Sequence, residues 1–220
     1  MTKLIIANWK SNKNKNSTKE FLENFEKNNF KSIKNKKAIF APPANLLYLF
    51  KDIKNIDLAI QDISSYPSGS YTGAVSAKNL EDFNIKYAIV GHSERRRYFH
   101  ETNQDIANKV AQCIENNIIP ILCIDEDDIS AQATAIPEKY LDKIIVAYEP
   151  LEAIGSGNNA SVEQVLKVSA KIKKSFTDKT QIVYGGSVNA DNIKDYLEIC
   201  DGVLVGGASL EAESFVDLLR

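Results

Sequence analysis

The chain has 220 residues, 44% hydrophobic and 25% charged, with 27 basic against 29 acidic side chains and a formal net charge of −2. That length and balance suit one globular domain, residues 1–220, with a full core. They supply no basic field for nucleic acid or an anionic membrane, so an anionic ligand would need a local positive site.

Short apolar runs alternate with helical periodicity along the whole chain. In order, strands are expected at Leu4–Ala7, Ala38–Ala41, Leu58–Gln61, Tyr87–Val90, Ile118–Ile124, Ile144–Tyr148, Gln181–Tyr184 and Gly202–Val205. The clearest helices between them are Lys19–Lys27, Asp105–Asn116 and Ser161–Phe176, each with an apolar face, and Ser161 is a natural N-cap. Lys10–Asn16 and Lys34–Lys37 read as polar loops. Eight strands leave roughly 27 residues per βα unit, which predicts an α/β fold, a (β/α)8 barrel of parallel strands with outer helices. A doubly wound open sheet would normally place a glycine-rich turn after the first strand, and here that strand ends in Asn8-Trp9-Lys10.

No apolar run has the length of a signal peptide or a membrane span. Cys113, Cys123 and Cys200 are odd in number and form no CxxC pair. A reducing, cytoplasmic setting is expected, with no disulfide framework and no zinc site. Cys123, late in an apolar strand, reads as a buried thiol, and Asp125–Asp128 as a solvated turn that binds no metal.

In a barrel of this kind, chemistry sits where strands end. Glu149, fixed by Pro150, ends the sixth strand and leads into Gly155-Ser156-Gly157, a flap suited to a general base in a site that opens and closes. Lys10 on its own would read as a solvated lysine, but it follows the first strand. His92 follows the fourth, and Ser93-Glu94-Arg95-Arg96 reads as a first helical turn whose partial positive charge disfavours imidazole protonation. Arg95 and Arg96 read as structural ion-pairing residues. Glycine pairs follow the seventh and eighth strands, in Tyr184-Gly185-Gly186-Ser187-Val188 and Val205-Gly206-Gly207-Ala208-Ser209-Leu210. Either pair alone could be a tight turn, but together they suit a phosphate cradle of backbone N–H groups, with Gly155, Ser187, Gly206 and Gly207 as the expected contacts.

These motifs, in this order, resemble those of the triosephosphate isomerase family: Asn-Trp-Lys, Gly-His-Ser-Glu-Arg-Arg, Ala-Tyr-Glu-Pro with its Gly-Ser-Gly flap, Tyr-Gly-Gly-Ser-Val and Val-Gly-Gly-Ala-Ser-Leu. The resemblance implies interconversion of dihydroxyacetone phosphate and glyceraldehyde 3-phosphate, with no metal or organic cofactor. It implies Glu149 as the base, His92 as a neutral hydrogen-bond donor and Lys10 as positive charge for the phosphate and the oxyanion, with Asn8 orienting Lys10 and Glu94 auxiliary. The neutral imidazole is a known feature of that family, not something the spacing shows. The resemblance also implies a homodimer in which the loop Ser64–Val75, bearing Tyr66 and Tyr71, inserts into a second copy beside its lysine.

Several positions depart from the family pattern. Glu152 replaces a hinge Trp, Asn158 and Asn159 replace the far-hinge pair, and Asp125 replaces a glycine before Glu126. Asp62 and Ala74 also differ from the usual Asn and Glu. The stretch from Glu126 to Ile144 is shorter by about one long helix, within the size range barrels tolerate. Another phosphosugar isomerase, a Schiff-base aldolase on the same barrel, or a non-catalytic scaffold remain as alternatives.

Overall fold

In the computed structural model, which describes residues 2–28, 35–153 and 158–220, eight parallel strands close into a barrel. They are β1 (Lys3–Asn8), β2 (Lys36–Ala41), β3 (Ile56–Ile60), β4 (Ile85–Val90), β5 (Ile119–Ile124), β6 (Ile145–Tyr148), β7 (Gln181–Tyr184) and β8 (Gly202–Val205), and each pairs with its neighbours in sequence. The helices are α1 (Lys15–Lys27), α2 (Ser93–Tyr98), α3 (Asn103–Glu115), α4 (Ile129–Ala135), α5 (Val162–Ser175), α6 (Ile193–Ile199) and α7 (Ala212–Leu219). After β2 and β3 the connections carry 3₁₀ turns, Ala44–Phe50 and Ala77–Phe83. No helix among the described residues is long and apolar enough to cross a membrane.

Strand periodicity divides the apolar residues into two cores. Ile6, Ile39, Ile89, Ile121 and Val183 point into the barrel beside the small Ala41, Ala59 and Ala147. The alternate positions, among them Ile5, Phe40, Val90, Leu122 and Val203, pack outward against the helices. Around Trp9 the outer core is aromatic: Phe21 meets it edge-on at 4.8 Å between ring centroids, and Phe40 at 6.0 Å.

The sequence boundaries shift in places. α1 begins four residues before the expected Lys19, because Asn14 accepts from the N–H groups of Asn16 and Ser17 and so converts a polar stretch into a helix start. Ser161 caps α5 by accepting from Gln164 N–H at 3.1 Å. Between β5 and β6 stand a 3₁₀ turn, Glu126–Asp128, the 7-residue α4 and a second 3₁₀ turn, Glu138–Lys143. So short a helix docks partly through polar bonds. The fully buried Gln132 donates to Asn103 O at 3.1 Å and accepts from Arg96 at 3.0 Å.

The barrel closes where Leu4 pairs with Gly202. A Cβ at Gly202 would stand 2.2 Å from the Leu4 carbonyl oxygen, a backbone atom of a central strand that cannot step aside. Gly202→Ala should therefore cost about 1–3 kcal/mol or more. A denaturant midpoint equal to that of the unaltered protein would contradict this account of closure.

Candidate active site

Because every strand runs the same way, the ends of β1, β4, β6, β7 and β8 all open on one rim. Lys10 stands there with φ 49°, a left-handed conformation for a residue with a side chain. Such a backbone costs about 1–3 kcal/mol and persists only where its surroundings hold it. Asn8 Oδ1 accepts from Lys10 N–H at 3.1 Å, and Gln61 Nε2 donates to the Lys10 carbonyl at 2.9 Å and to Ala41 O at 2.8 Å. The Lys10 ammonium lies 2.6 Å from Glu94 Oε1. Gln61 was legible only as a strand end, and its anchoring role came from the fold.

His92 is buried and forms the N-cap of α2, its Nδ1 accepting the Glu94 N–H at 3.2 Å. That bond keeps Nδ1 bare, so the neutral ring carries its proton on Nε2, 3.3 Å from Glu149 Oε1. The sequence reading expected protonation to be disfavoured, and the balance goes the other way. Burial lowers the His92 pKa, but the charge and hydrogen bond of Glu149, with Glu94 behind, outweigh it and raise the pKa above 6.5. The two carboxylates close to the ring outweigh its burial and the nearby Lys10 charge.

Glu149 follows β6, and its N–H donates to Ile124 O at 2.9 Å. Its carboxylate is buried, and Oε2 has no hydrogen-bond partner among the described residues. A Cβ at Gly185 would stand 2.9 Å from Glu149 Cγ, so this glycine makes room for the carboxylate. Cys123 is buried as expected, but it does have a carboxylate beside it. Its thiol lies beside Glu149, and burial together with that charge pushes its pKa well up, so it stays protonated.

Asn8, Lys10, His92, Glu149, Gly185, Ser187, Gly206 and Gly207 line one cavity of about 360 Å³. Among the described residues beyond its chain neighbours, a Cβ at Gly207 would meet no atom within 4 Å, and at Gly206 only Lys10 Cε at 3.6 Å. Ser187 donates from Oγ to Ala153 O at 2.6 Å, tying this wall to the hinge after Glu149. A second cavity of about 640 Å³ adjoins at Lys10 and Glu149 and includes Glu94 and Asp125. Gly155, the remaining expected phosphate contact, and the flap at 154–157 lie outside the described residues. Among the described residues no group of three or more His, Cys, Asp or Glu is placed to hold a metal ion.

A family model described as triosephosphate isomerase matches residues 3–220. The chain belongs to the triosephosphate isomerase family. Curated relatives of that name include one from Mesomycoplasma hyorhinis, 43% identical over 98% of this chain and 97% of its own length. Another, from Mycoplasma mobile, is 38% identical over 99% of each, and one from Francisella philomiragia is 36% identical over 100% of this chain and 97% of its own. The alignment to the first covers 238 positions against 220 residues here, in keeping with a chain shorter than its relatives.

The departures from the family pattern have structural roles around the hinges. Asp125 accepts from the Leu151 N–H, and Glu126 pairs with Lys171. Asn159 donates to the Tyr196 hydroxyl, which donates to Ala160 O at 2.6 Å. Arg95, as expected, pairs with Glu101 at 2.5 Å and Asp62 at 3.0 Å. The imidazole environment is the most directly testable part of the site. His92 should titrate above 6.5, with its neutral form present above that midpoint and lost as pH falls through it. Glu94→Gln removes one charge that raises the pKa, so the imidazole midpoint and the His92 limb of the pH–rate profile should move down. Imidazole NMR checks this, and an upward move would contradict the charge balance.

Proposed function

We propose that this chain, acting as one domain over residues 1–220, interconverts dihydroxyacetone phosphate and glyceraldehyde 3-phosphate with Glu149 as the base. Glu149 takes the proton α to the carbonyl, and the electron pair of the broken C–H bond moves into an enediolate. His92 donates from Nε2, and Lys10 supplies positive charge to the forming oxyanion and to the phosphate. Proton transfer moves the negative charge from Glu149 to the enediolate oxygen, where the His92 Nε2–H and the Lys10 ammonium meet it. Glu149 then returns the proton to the neighbouring carbon, while the hydroxyl proton passes from one enediolate oxygen to the other by way of His92 Nε2, so that carbonyl and hydroxyl exchange places.

The observation that carries this reading is the meeting of Lys10, His92 and Glu149 on one cavity that Gly206 and Gly207 also line. Asn8 orients Lys10 through its bond to the Lys10 N–H, and Glu94 pairs with the ammonium. Gly155, Ser187, Gly206 and Gly207 are proposed to receive the phosphate, and the flap to cover it and exclude water. Neither a metal nor an organic cofactor enters the scheme. A coupled assay with glyceraldehyde 3-phosphate, with and without chelator, tests the activity and that independence together.

The same reading includes a cytoplasmic homodimer. Tyr66 and Tyr71 stack at 4.6 Å at the tip of the loop Ser64–Val75, 50% and 42% exposed. Two stacked aromatic rings half in water suit a surface that another copy covers. No partner in nucleic acid or membrane is proposed.

Glu149→Gln should lower turnover by at least about 10²-fold while phosphate inhibition changes little. Glu152 is exposed, and its charge contributes, after burial, Asp125 and Glu126, to a Tyr148 pKa raised to about 12. Glu152→Gln should therefore change kcat by less than about tenfold through the lid alone. Equal inactivity of the two variants would end the case for Glu149 as sole base. Sedimentation should show a dimer at assay concentration, and a fully active monomer there would refute the assembly.

A further inference from the structure

Trp9 sits between Asn8 and Lys10 in sequence, yet its side chain is wholly buried in the outer core, against Phe21, Phe40 and, at 5.4 Å, Phe50. Its indole N–H donates to the Ser209 carbonyl at 3.0 Å, a buried bond between positions 200 residues apart. Ser209 closes the 3₁₀ turn Gly207–Ser209, whose glycine lines the cavity, and it stiffens that turn from within. Its hydroxyl lies 2.6 Å from Gly206 O and 3.1 Å from Val205 O, and its N–H donates to Gly206 O at 2.9 Å.

The backbone on the other side of Trp9 is held as firmly. Trp9 N–H donates to Ala41 O at 3.1 Å, and Trp9 O accepts from Asn12 Nδ2 at 2.8 Å. Lys10 follows directly, in its left-handed conformation. One side chain therefore joins the loop carrying the lysine to the loop carrying the glycines. An indole can only donate, and a buried carbonyl that loses its donor must shift to find another.

We infer that Trp9 is a positioning residue whose indole N–H sets the Gly206–Ser209 loop at the correct distance from Lys10. The inference rests on the reading of that loop as the phosphate site. It concerns the position of the Gly206–Ser209 loop, because Asn8 and Gln61 hold the Lys10 backbone without the indole, and His92 and Glu149 follow β4 and β6, outside this link.

Trp9→Phe keeps an aromatic ring in the core and removes the donor. With this variant the inhibition constant for inorganic phosphate and the KM for glyceraldehyde 3-phosphate should rise about tenfold, the scale of one lost buried hydrogen bond. Turnover of glyceraldehyde, which has no phosphate, should stay within about twofold in kcat/KM, whereas general damage to the fold would lower both substrates together. Parallel loss on the two substrates, or unchanged phosphate inhibition, overturns the inference.

Should the variant not fold, the unaltered enzyme still decides the matter. Trp9 is the single tryptophan, so the protein has one indole N–H resonance. Inorganic phosphate should shift that resonance with the midpoint of its own inhibition. A resonance that stays still at saturating phosphate refutes the coupling while leaving the phosphate site intact. Phosphate that fails to inhibit the unaltered enzyme removes the phosphate site itself, and the inference with it.

Discussion

Leu4 and Gly202 meet where β8 closes on β1, and the backbone there leaves no space for even a methyl group. Everything at the active rim depends on this closure. Lys10 comes from the first strand and Gly206 and Gly207 from the last, and only a closed ring brings those ends of the chain to one cavity. Since all eight strands are parallel, the same closure gathers His92 and Glu149 onto that rim without any long-range search by individual loops.

Within the rim the charges balance each other in pairs. Lys10 faces Glu94, and His92 lies between Glu94 and Glu149. A backbone bond from Glu94 fixes which imidazole nitrogen can donate, while the two carboxylates set how readily the ring takes a proton. These two controls are separable, because one is geometric and the other is a sum of charges. The same Glu149 that raises the histidine pKa is the proposed proton acceptor.

The shortened β5–β6 connection changes what supports the hinge. With α4 only 7 residues long, buried Gln132 and Arg96 tie it to α3 and to the end of β5, and Arg96 also donates to Gly91 O at 2.8 Å. Where the family pattern has a glycine, the Asp125 carboxylate instead receives the Leu151 N–H two residues after Glu149. Polar bonds from short elements thus replace some of the packing a longer helix and a hinge Trp would supply.

Strand order, the strand-end positions of Lys10, His92 and Glu149, and the glycine pairs were legible in the sequence. Period-2 apolar runs and turn residues are local signals, and a parallel barrel converts them directly into positions on a rim. The start of α1 was not read, because the Asn14 cap is one polar residue within a polar stretch. The left-handed Lys10 backbone, the Gln61 anchor, the Cys123 thiol beside Glu149 and the bond from Trp9 to Ser209 were also out of reach. Each joins residues far apart in the chain, and no local pattern encodes such a distance. The direction of the His92 shift belongs with them, since a pKa is the sum of every charge and dipole around the ring. By itself the sequence determined which residues stand at the strand ends. Tertiary structure decided how those residues hold, charge and orient one another, because these interactions exist only once closure has brought them within a few ångströms.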